Sequence, residues 1–390
     1  MEAVKKSKWR ILYWLVLVVS VCIVMEGLGY LGMTLNSRKG DALSNRNYFN
    51  IRAMLMGDKS PEMLPRCLTL PYMGYVANPG YTKSGYLQHN EDGYRGDRIP
   101  LEKNNNYRIL CMGGSTTYGS PIDNPSDTYP AQLNVLVAHH MEKDPHLREK
   151  YAGVEVINAG LEGGNSAEEL QQYLAKYRYY NADMVILHTG VNDALLFNVP
   201  MADFQLDYTH RRRLNFHLEP LPQPARFMLH SYFFSFFTVG LYYGNFSEQQ
   251  DDFFSRETDT FVKWSDGVDM DSVFRRRDLE HYPFYRNTEL LCREIMRDGS
   301  ALLVMPNALN PNDGMVKSAP KYVEVTTYND SLLKRIAGET GAVYIPFAFD
   351  SIRNPAWWVD DCHMNPDGEK NKAEIVFRHV KHILDNDSTK

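Results

Sequence analysis

Cysteine is scarce in this sequence, and the short motifs that hold metal ions are missing. Five cysteines among 390 residues are too few for a disulfide scaffold. Cys22 lies in an apolar run, and the remaining four leave one or two bridges open without a preferred pairing: Cys67, Cys111, Cys292 and Cys362. Since there is no CxxC or HExxH motif and no histidine-rich cluster, we expect neither a metal site nor another cofactor.

Beyond the N-terminus, acidic side chains outnumber basic ones. The formal net charge is −6, yet residues 1–40 carry six basic and two acidic side chains, so the rest of the chain sums to −10. An acidic surface repels nucleic-acid phosphates, which argues against a nucleic-acid partner. The absence of internal repeats likewise excludes a repeat architecture.

One long hydrophobic run is present, and it lies near the N-terminus. Residues 11–25 (ILYWLVLVVSVCIVM) contain no charge and follow four basic residues. A helix of this length spans about 22 Å, and residues 9–33 together are long enough to cross a hydrocarbon core of about 30 Å. No small-x-small cleavage site closes the run, so we favour an uncleaved signal-anchor over a cleaved signal peptide. The basic flank predicts a cytoplasmic N-terminus in a single-pass protein whose main domain is extracytoplasmic, either periplasmic or extracellular.

Glu26 follows the run directly, where a carboxylate lies close to the hydrocarbon edge. It can simply mark the outer interface. Alternatively, Glu26 together with Gly27, Gly29 and Gly32 can form a docking face for another membrane protein, because close packing of membrane helices favours small residues.

Short strands alternate with helical stretches after residue 105. The predicted strands begin at Tyr107, Val154, Asp183, Ser300 and Ala342. Residues 183–188 form a continuous apolar strand, as expected when both faces of a parallel sheet are covered, and five short strands separated by helices predict an open, doubly wound α/β sheet. We therefore divide the chain into a cytoplasmic tip and anchor (1–35), a loop-rich lead-in (36–105) and an α/β domain (106–390). A helical insertion at about 195–282 interrupts the alternation. It is either a lid on the ligand side of the sheet or an insertion without a role in the site.

Polar loops follow the carboxyl ends of these strands, and such ends meet at one edge of a parallel sheet. The first loop is Gly113-Gly-Ser115, where the serine is either a helix N-cap or a nucleophile. The second runs to Gly163 and beyond, the third holds Gly190 and Asn192, and the last contains Asp360-Asp-Cys-His363. Their order along one sheet favours the nucleophile interpretation.

The chemistry of these side chains fits acyl transfer. Ser115 needs a base, and His363 carries the carboxylate of Asp360 three residues before it, with Asp361 as the alternative. The backbone N–H of Ser115, a glycine N–H of the second loop and the Asn192 amide would supply an oxyanion hole. Trp357 and Trp358 precede the histidine loop and either stack on substrate or pack in the core.

These residues resemble the four blocks of the SGNH, or GDSL-like, hydrolases over residues 70–385, including a lead-in segment Asn90-Glu-Asp-Gly-Tyr-Arg-Gly96 similar to that of membrane-anchored members. The resemblance assigns the block serine to Ser115, the second-block glycine to Gly163 (beside Gly160 and Gly164), the third block to Gly190 and Asn192, and the DxxH motif to Asp360 and His363. The aspartate of "GDS" is Gly114 here. The resemblance implies a flavodoxin-like three-layer α/β/α fold with a parallel five-stranded sheet of order 2-1-3-4-5.

Three functions agree with these features. The first is an extracytoplasmic esterase that removes acyl groups, with acetyl favoured, from a cell-envelope glycan. The second is an O-acyltransferase that passes an acyl group through Ser115 to a glycan with help from a membrane-protein partner. The third is an inactive, membrane-anchored binding or assembly protein, against which the four intact blocks argue.

Overall fold

The computed structural model describes residues 2–37, 48–57, 66–70, 73–197, 206–208, 221–241, 282–347 and 354–387. Much of the insertion at 195–282 therefore lies outside the described residues. The strands are β1 (Cys67–Leu70), β2 (Gly74–Ala77), β3 (Thr82–Lys83), β4 (Tyr86–Leu87), β5 (Tyr107–Gly113), β6 (Val154–Gly160), β7 (Met184–His188), β8 (Ala301–Met305) and β9 (Val343–Tyr344).

The described helices range from four to 36 residues. They are α1 (Glu2–Ser37), α2 (Tyr48–Met56), α3 (Ser115–Tyr118), α4 (Tyr129–Lys143), α5 (Pro145–Lys150), α6 (Ser166–Ala175), α7 (Val191–Leu195), α8 (Gln223–Met228), α9 (Tyr232–Leu241), α10 (Pro283–Arg297), α11 (Gly314–Ser318), α12 (Pro320–Thr340) and α13 (Pro366–Asp387). Short 3₁₀ turns occur at Pro125–Asp127, Tyr177–Tyr180 and Pro355–Trp357.

Five of the strands form one parallel sheet in the order β6-β5-β7-β8-β9. Numbered along the sheet's own strands, this is the order 2-1-3-4-5, so the predicted topology is confirmed. In this register Gly113 lies opposite Gly160 on one side and His188 on the other. The loops that follow these three strands therefore start side by side. Two antiparallel pairs, β1 with β2 and β3 with β4, belong to the lead-in.

Both faces of this sheet are buried, which explains why most side chains of its strands are apolar. Alternate residues point to opposite faces of a strand. One core holds Leu110, Met112 and Val185 with side chains of α6, α10 and α12. The other holds Ile109, Cys111 and Met184 with side chains of α4 and α13. The result is the predicted three-layer α/β/α sandwich.

The described cysteines are all unpaired, so neither of the bridges left open by the sequence is formed. Cys111 packs in the core on one face of the sheet, whereas Cys292 and Cys362 pack in the core on the other. The sheet therefore separates Cys111 from the other two, and all three act as small apolar side chains.

The chain divides into two compact units along boundaries that differ from the ranges we expected. One unit comprises residues 1–64 and 217–252, and the other comprises residues 65–216 and 253–390. In the first unit Met33 of α1 is fully buried in a small core with Ile51 and Leu55 of α2 and with Leu229 and Val239 near and in α9. Part of the lead-in and part of the insertion thus fold with α1, because each contributes buried apolar side chains to that core.

Helix α1 contains the predicted membrane segment. Residues Trp9–Ser37 are long and apolar enough to cross a membrane. Large apolar side chains along this stretch are exposed to a degree that is unusual for the core helix of a water-soluble protein, with Trp9 at 68% and Ile23 at 66%.

Candidate active site

The turn after β5 holds Ser115 at the first residue of the four-residue helix α3. Gly113 ends the strand with φ = 150°, and a Cβ there would overlap the carbonyl oxygen of His188 on the neighbouring strand. A glycine is therefore required where the chain leaves the sheet. The turn leaves 8% of the Ser115 surface exposed at the carboxyl edge of the sheet.

The loop before α13 brings a histidine and a carboxylate to this serine across 248 residues of sequence. Ser115 Oγ lies 2.7 Å from His363 Nε2. His363 Nδ1 lies 2.9 and 2.8 Å from the two carboxylate oxygens of Asp360. An Nδ1–H that donates to Asp360 leaves Nε2 as the acceptor for the serine hydroxyl, which is the arrangement of a serine–histidine–carboxylate triad.

The Asp360 carboxylate is held in its charged form. Burial by itself raises the pKa of Asp360, but the hydrogen bonds and positive charge of His363 and the backbone N–H groups of Cys362 and His363 lower it to about 2. Those N–H groups donate to Asp360 Oδ1 over 3.1 and 2.8 Å. Asp361 instead accepts a hydrogen bond of 2.8 Å from the Tyr322 hydroxyl of α12, and burial raises its pKa. Of the two candidate aspartates, Asp360 is therefore the one that contacts the imidazole.

The Asn192 amide lies directly beside the nucleophile turn. Asn192 is buried in α7, and its Nδ2 donates to the carbonyl oxygen of Gly164 over 2.8 Å, which fixes the orientation of the amide. A Cβ at Gly114 would overlap this same Nδ2 atom. The glycine that replaces the family's aspartate thus gives the Asn192 amide room next to Ser115. The amide has a second N–H that the hydrogen bond to Gly164 does not use.

Gly160 and Gly164 of the second loop use their N–H groups within that loop. Gly160 N–H donates to Asn158 Oδ1 over 3.1 Å, and Gly164 N–H donates to the Leu161 carbonyl over 2.9 Å. A Cβ at Gly160 would also overlap the backbone of Tyr118, so this glycine allows α3 to pack on β6. Gly163 adopts φ = 71°, and its role as an oxyanion donor stays a prediction.

Asp193 ties the second and third loops together. It is fully buried, and its carboxylate accepts hydrogen bonds from the backbone N–H of Ser166 over 3.0 Å, from the Ser166 hydroxyl, and from the Tyr208 hydroxyl over 2.9 Å. Because Asp193 follows Asn192 directly, this anchor fixes the segment that presents the Asn192 amide.

Two buried side chains outside the four blocks hold carbonyl groups in and just after α3, and they were not predicted as site residues. Arg95, 2% exposed, donates to the carbonyls of Tyr118 and Gly119 over 2.8 and 3.0 Å and also to that of Ile122. Lys372 of α13, 1% exposed, donates to the Thr116 carbonyl over 2.9 Å. A four-residue helix leaves its last carbonyls without intrahelical partners, so these two cations complete the turn. The one available signal was the presence of Arg95 in the segment that resembles membrane-anchored members.

The two tryptophans of the last loop are half-buried and pack against the core that α4 and α13 cover. Trp357 also lies against Gly368 at the start of α13, where a Cβ would crowd its backbone carbonyl. This packing supports the core interpretation, and a contact of Trp357 or Trp358 with substrate stays a prediction.

Two other features near the site do not add to its chemistry. Asp360, Asp361, Cys362 and His363 bring potential metal ligands together, but the hydrogen bonds described above already engage the two carboxylates and both ring nitrogens. A separate cavity of about 570 Å³ borders β6 and is lined by residues such as Asn134 and Glu155, and Ser115, Asn192 and His363 are not among its lining residues.

Comparison with solved structures gives similar chains at low identity. Acetylxylan esterase Axe2 from Geobacillus stearothermophilus is 14% identical, with 72% of this chain and 96% of that chain covered and a TM-score of 0.39. A chain described as a putative GDSL-like lipase, from Parabacteroides merdae, is 12% identical, with 71% of this chain and 96% of that chain covered and a TM-score of 0.39. A search of curated proteins found no match to this sequence.

The family model described as "GDSL-like Lipase/Acylhydrolase family" matches residues 111–370, which is two thirds of the chain. The matched range starts within β5 and ends within α13, so it includes Ser115, Asn192, Asp360 and His363. The protein is thus an ester-hydrolysing enzyme, and the chain belongs to the GDSL-like lipase/acylhydrolase family.

Proposed function

We propose that this protein is a membrane-anchored serine O-acyl hydrolase that removes short acyl groups, chiefly acetyl, from a cell-envelope glycan outside the cytoplasm. The observation that carries the proposal is the unbroken hydrogen-bond chain from Ser115 Oγ to His363 and on to Asp360. A serine hydroxyl is a weak nucleophile until a base accepts its proton, and this chain supplies the base and the group that orients it.

In the proposed mechanism Ser115 Oγ attacks the acyl carbonyl carbon while its proton passes to His363 Nε2. The negative charge on the carbonyl oxygen is stabilised by the N–H groups of Ser115 and Gly163 and by the Asn192 amide. When the intermediate collapses, the glycan hydroxyl leaves with the proton from His363, and the acyl group stays on Ser115. Water then attacks the acyl-enzyme with His363 as base, and release of the carboxylic acid restores the serine. Asp360 stays charged throughout and stabilises the imidazolium.

The small exposed fraction of the site favours a short acyl group. Ser115 and Asn192 retain only 8% and 7% of their surface. A long acyl chain would need a wide apolar channel to this point, whereas an acetyl group needs little space beyond the oxyanion donors. A glycan fits the expected location, because a domain tethered outside the cytoplasm faces the sugars of the envelope.

An O-acyltransferase is the second candidate, and α1 is the observation that favours it. A transferase that receives its acyl group from a membrane-protein donor has to stay at the membrane, whereas a hydrolase needs no such donor. Both reactions pass through the same acyl-serine and differ only in whether water or a sugar hydroxyl accepts the acyl group.

Active-site labelling tests the nucleophile and the triad. The full-length protein in detergent should react with a fluorophosphonate probe, and Ser115→Ala should abolish labelling, whereas Ser126→Ala, which changes an exposed serine of the same region, should not. Asp360→Asn should lower kcat on the order of 10³–10⁴-fold, as expected for a triad carboxylate. Asp361→Asn is the matched control and should stay close to wild type. Equal losses in the two aspartate variants would contradict the assignment.

Acetate release from acetylated envelope polysaccharides, with and without an unacetylated sugar acceptor, tests the reaction. A hydrolase releases acetate in both cases, and a transferase diverts acyl groups to the acceptor.

A reporter that is active only after export, fused after residue 390, should be active if the catalytic domain is extracytoplasmic. Activity of a cytoplasm-only reporter at that position would reverse the topology.

A further inference from the structure

Helices α8 and α9 expose a cluster of large apolar side chains. Phe234, Phe237 and Leu241 are spaced for one face of α9 and are 44%, 52% and 70% exposed. In α8, Phe227 and Met228 are 79% and 48% exposed. Single exposed apolar residues are common on proteins, but five on two adjacent short helices form a patch that calls for an apolar neighbour.

The opposite face of α9 packs on α1. A Cβ at Gly29 would overlap the backbone of Tyr232 and Phe233, and a Cβ at Gly32 would crowd the ring of Phe236. The two glycines thus let α9 approach α1 closely, as small residues do between membrane helices. Because contacts advance together along both helices, α9 runs parallel to α1, and its first turn lies level with residues 26–29.

Glu26 fixes the start of α9. Its carboxylate accepts a hydrogen bond of 2.6 Å from the backbone N–H of Tyr232, the first residue of that helix. In the turn that precedes α9, the Leu229 carbonyl accepts hydrogen bonds from Arg52 Nε and from the Ser235 hydroxyl, each of 2.8 Å. These polar groups are therefore satisfied inside the protein, which is a requirement for backbone that enters lipid.

The position of this turn along α1 gives its depth. Glu26 follows Ile11, the first residue of the apolar run, by fifteen residues, which is about 22 Å along a helix. The hydrocarbon core is about 30 Å thick. If the run enters the core at Ile11, then Glu26 and the first turn of α9 still lie within the core, near its far boundary. A carboxylate is tolerated there because the N–H of Tyr232, at the N-terminus of α9, donates a hydrogen bond to it and stabilises its negative charge.

We propose that residues 223–241 are a second membrane-contacting element, in which the turn between α8 and α9 enters the lipid leaflet at the C-terminal end of α1. Phe227, Met228 and Phe234 then contact lipid acyl chains, and Phe237 and Leu241 lie nearer the headgroups. This inference rests on the proposed membrane anchoring by α1. It also replaces the predicted docking face for another membrane protein, because Glu26, Gly29 and Gly32 contact the chain's own α9, and it requires that α1 be retained after export.

Photocrosslinking in a bilayer tests the element directly. The full chain, with p-benzoylphenylalanine at Phe227, Phe237 or Leu17, is reconstituted into vesicles of phosphatidylcholine and phosphatidylglycerol and irradiated. Lipid adducts above the background of the unsubstituted chain are expected at all three positions. Adducts at Leu17 without adducts at Phe227 and Phe237 would overturn the proposal while leaving the anchor intact. No adducts at Leu17 would overturn the anchor and, with it, this element. Protein adducts at Phe237 in native membranes, in place of lipid adducts, would point to a protein partner and also overturn it.

A matched glycine pair tests the docking on α1. Gly29→Leu should push α9 away from α1 and bring the lipid adducts at Phe237 down to background, while adducts at Leu17 persist. Gly27→Leu makes the same change where no atom lies within 4 Å, and it should leave adducts at Phe237 unchanged. Equal behaviour of the two variants would show that the glycine face does not hold α9.

Discussion

Gly114 occupies the place of the aspartate in the family's "GDS" block, and its substitution by alanine probes the geometry of the oxyanion hole. The backbone of Gly114 has φ = −81° and ψ = −152°, which alanine adopts without strain. The only severe conflict of the new Cβ would be with Asn192 Nδ2. Gly114→Ala therefore acts on the proposed oxyanion donor while leaving all catalytic groups in the chain.

The size of the effect follows from this overlap. To restore van der Waals separation, the Asn192 amide or the turn itself must retreat by about 1 Å. A displacement of about 1 Å at a catalytic group can cost on the order of 10²-fold. Loss of one oxyanion donor costs on the order of 10²–10³-fold, or about 3–4 kcal/mol of transition-state stabilisation. We therefore expect Gly114→Ala to lower kcat by roughly 10²-fold, with KM changed little.

Hydrolysis of p-nitrophenyl acetate by the full-length protein measures the effect, and a double variant makes it specific. Asn192→Ala removes the amide, so the Cβ of the substituted residue 114 then meets no obstacle there. The double variant Gly114→Ala/Asn192→Ala should be no slower than Asn192→Ala alone. Gly338→Ala, at a helical glycine with no atom within 4 Å, is the control and should be fully active. The reasoning is refuted if Gly114→Ala retains wild-type kcat, or if the two losses multiply in the double variant.

Three further predictions concern pH and the support of the nucleophile turn. Burial lowers the pKa of His89 to about 4, so the imidazole binds a proton at higher pH in the unfolded chain than in the folded one, and stability is lost as pH falls from about 6.5 to 4. His89→Gln should reduce this acid loss of unfolding free energy by about 3 kcal/mol. An unchanged pH profile in denaturant titrations would contradict this. Because the pKa of Asp360 is about 2, this carboxylate should stay charged above pH 4, so the acid side of log(kcat/KM) should not steepen to a slope of two there; a slope near two above pH 4 would contradict this. Arg95→Met should remove the hydrogen bonds of Arg95 to the carbonyls of Tyr118, Gly119 and Ile122, destabilise the protein by about 2 kcal/mol or more in thermal unfolding and lower kcat, whereas a purely local effect would leave kcat unchanged.

The sheet and the chemistry at its edge could be predicted because both depend on short-range patterns. Short apolar strands can be identified by their composition, and the carboxyl ends of parallel strands lie at one edge of the sheet. Ser115 and His363 were therefore expected to meet although 248 residues separate them, and their atoms lie 2.7 Å apart. The pairing of Asp360 with His363 could be predicted from their spacing of three residues, and Asp361 accepts a hydrogen bond from Tyr322 instead.

Contacts between distant segments without a repeating pattern could not be predicted. Nothing in the sequence pairs Glu26 with Tyr232, or Gly29 with Phe233, because one hydrogen bond and one close approach leave no periodic signal. For the same reason the expected boundaries at residues 35 and 105 differ from those of the compact units, since segments were grouped by composition and not by shared buried surface. The contact of Lys372 with the nucleophile turn could not be predicted either, because a lysine within an amphipathic helix is usually solvated.

The nucleophile turn explains why residues of the lead-in belong to the hydrolase unit and are not a linker to it. Helix α3 has four residues, so it cannot satisfy its own terminal carbonyls, and apolar neighbours would leave them buried without donors. Arg95 approaches from the lead-in and Lys372 from α13, and each places a buried cation on these carbonyls. The Nε2 of His89, also in the lead-in, lies 3.0 Å from the hydroxyl of Tyr118, the last residue of α3. The orientation of Ser115 therefore depends on a segment that precedes the family's first block, and loss of that segment would remove the hydrogen bonds that Arg95 and His89 make to the turn.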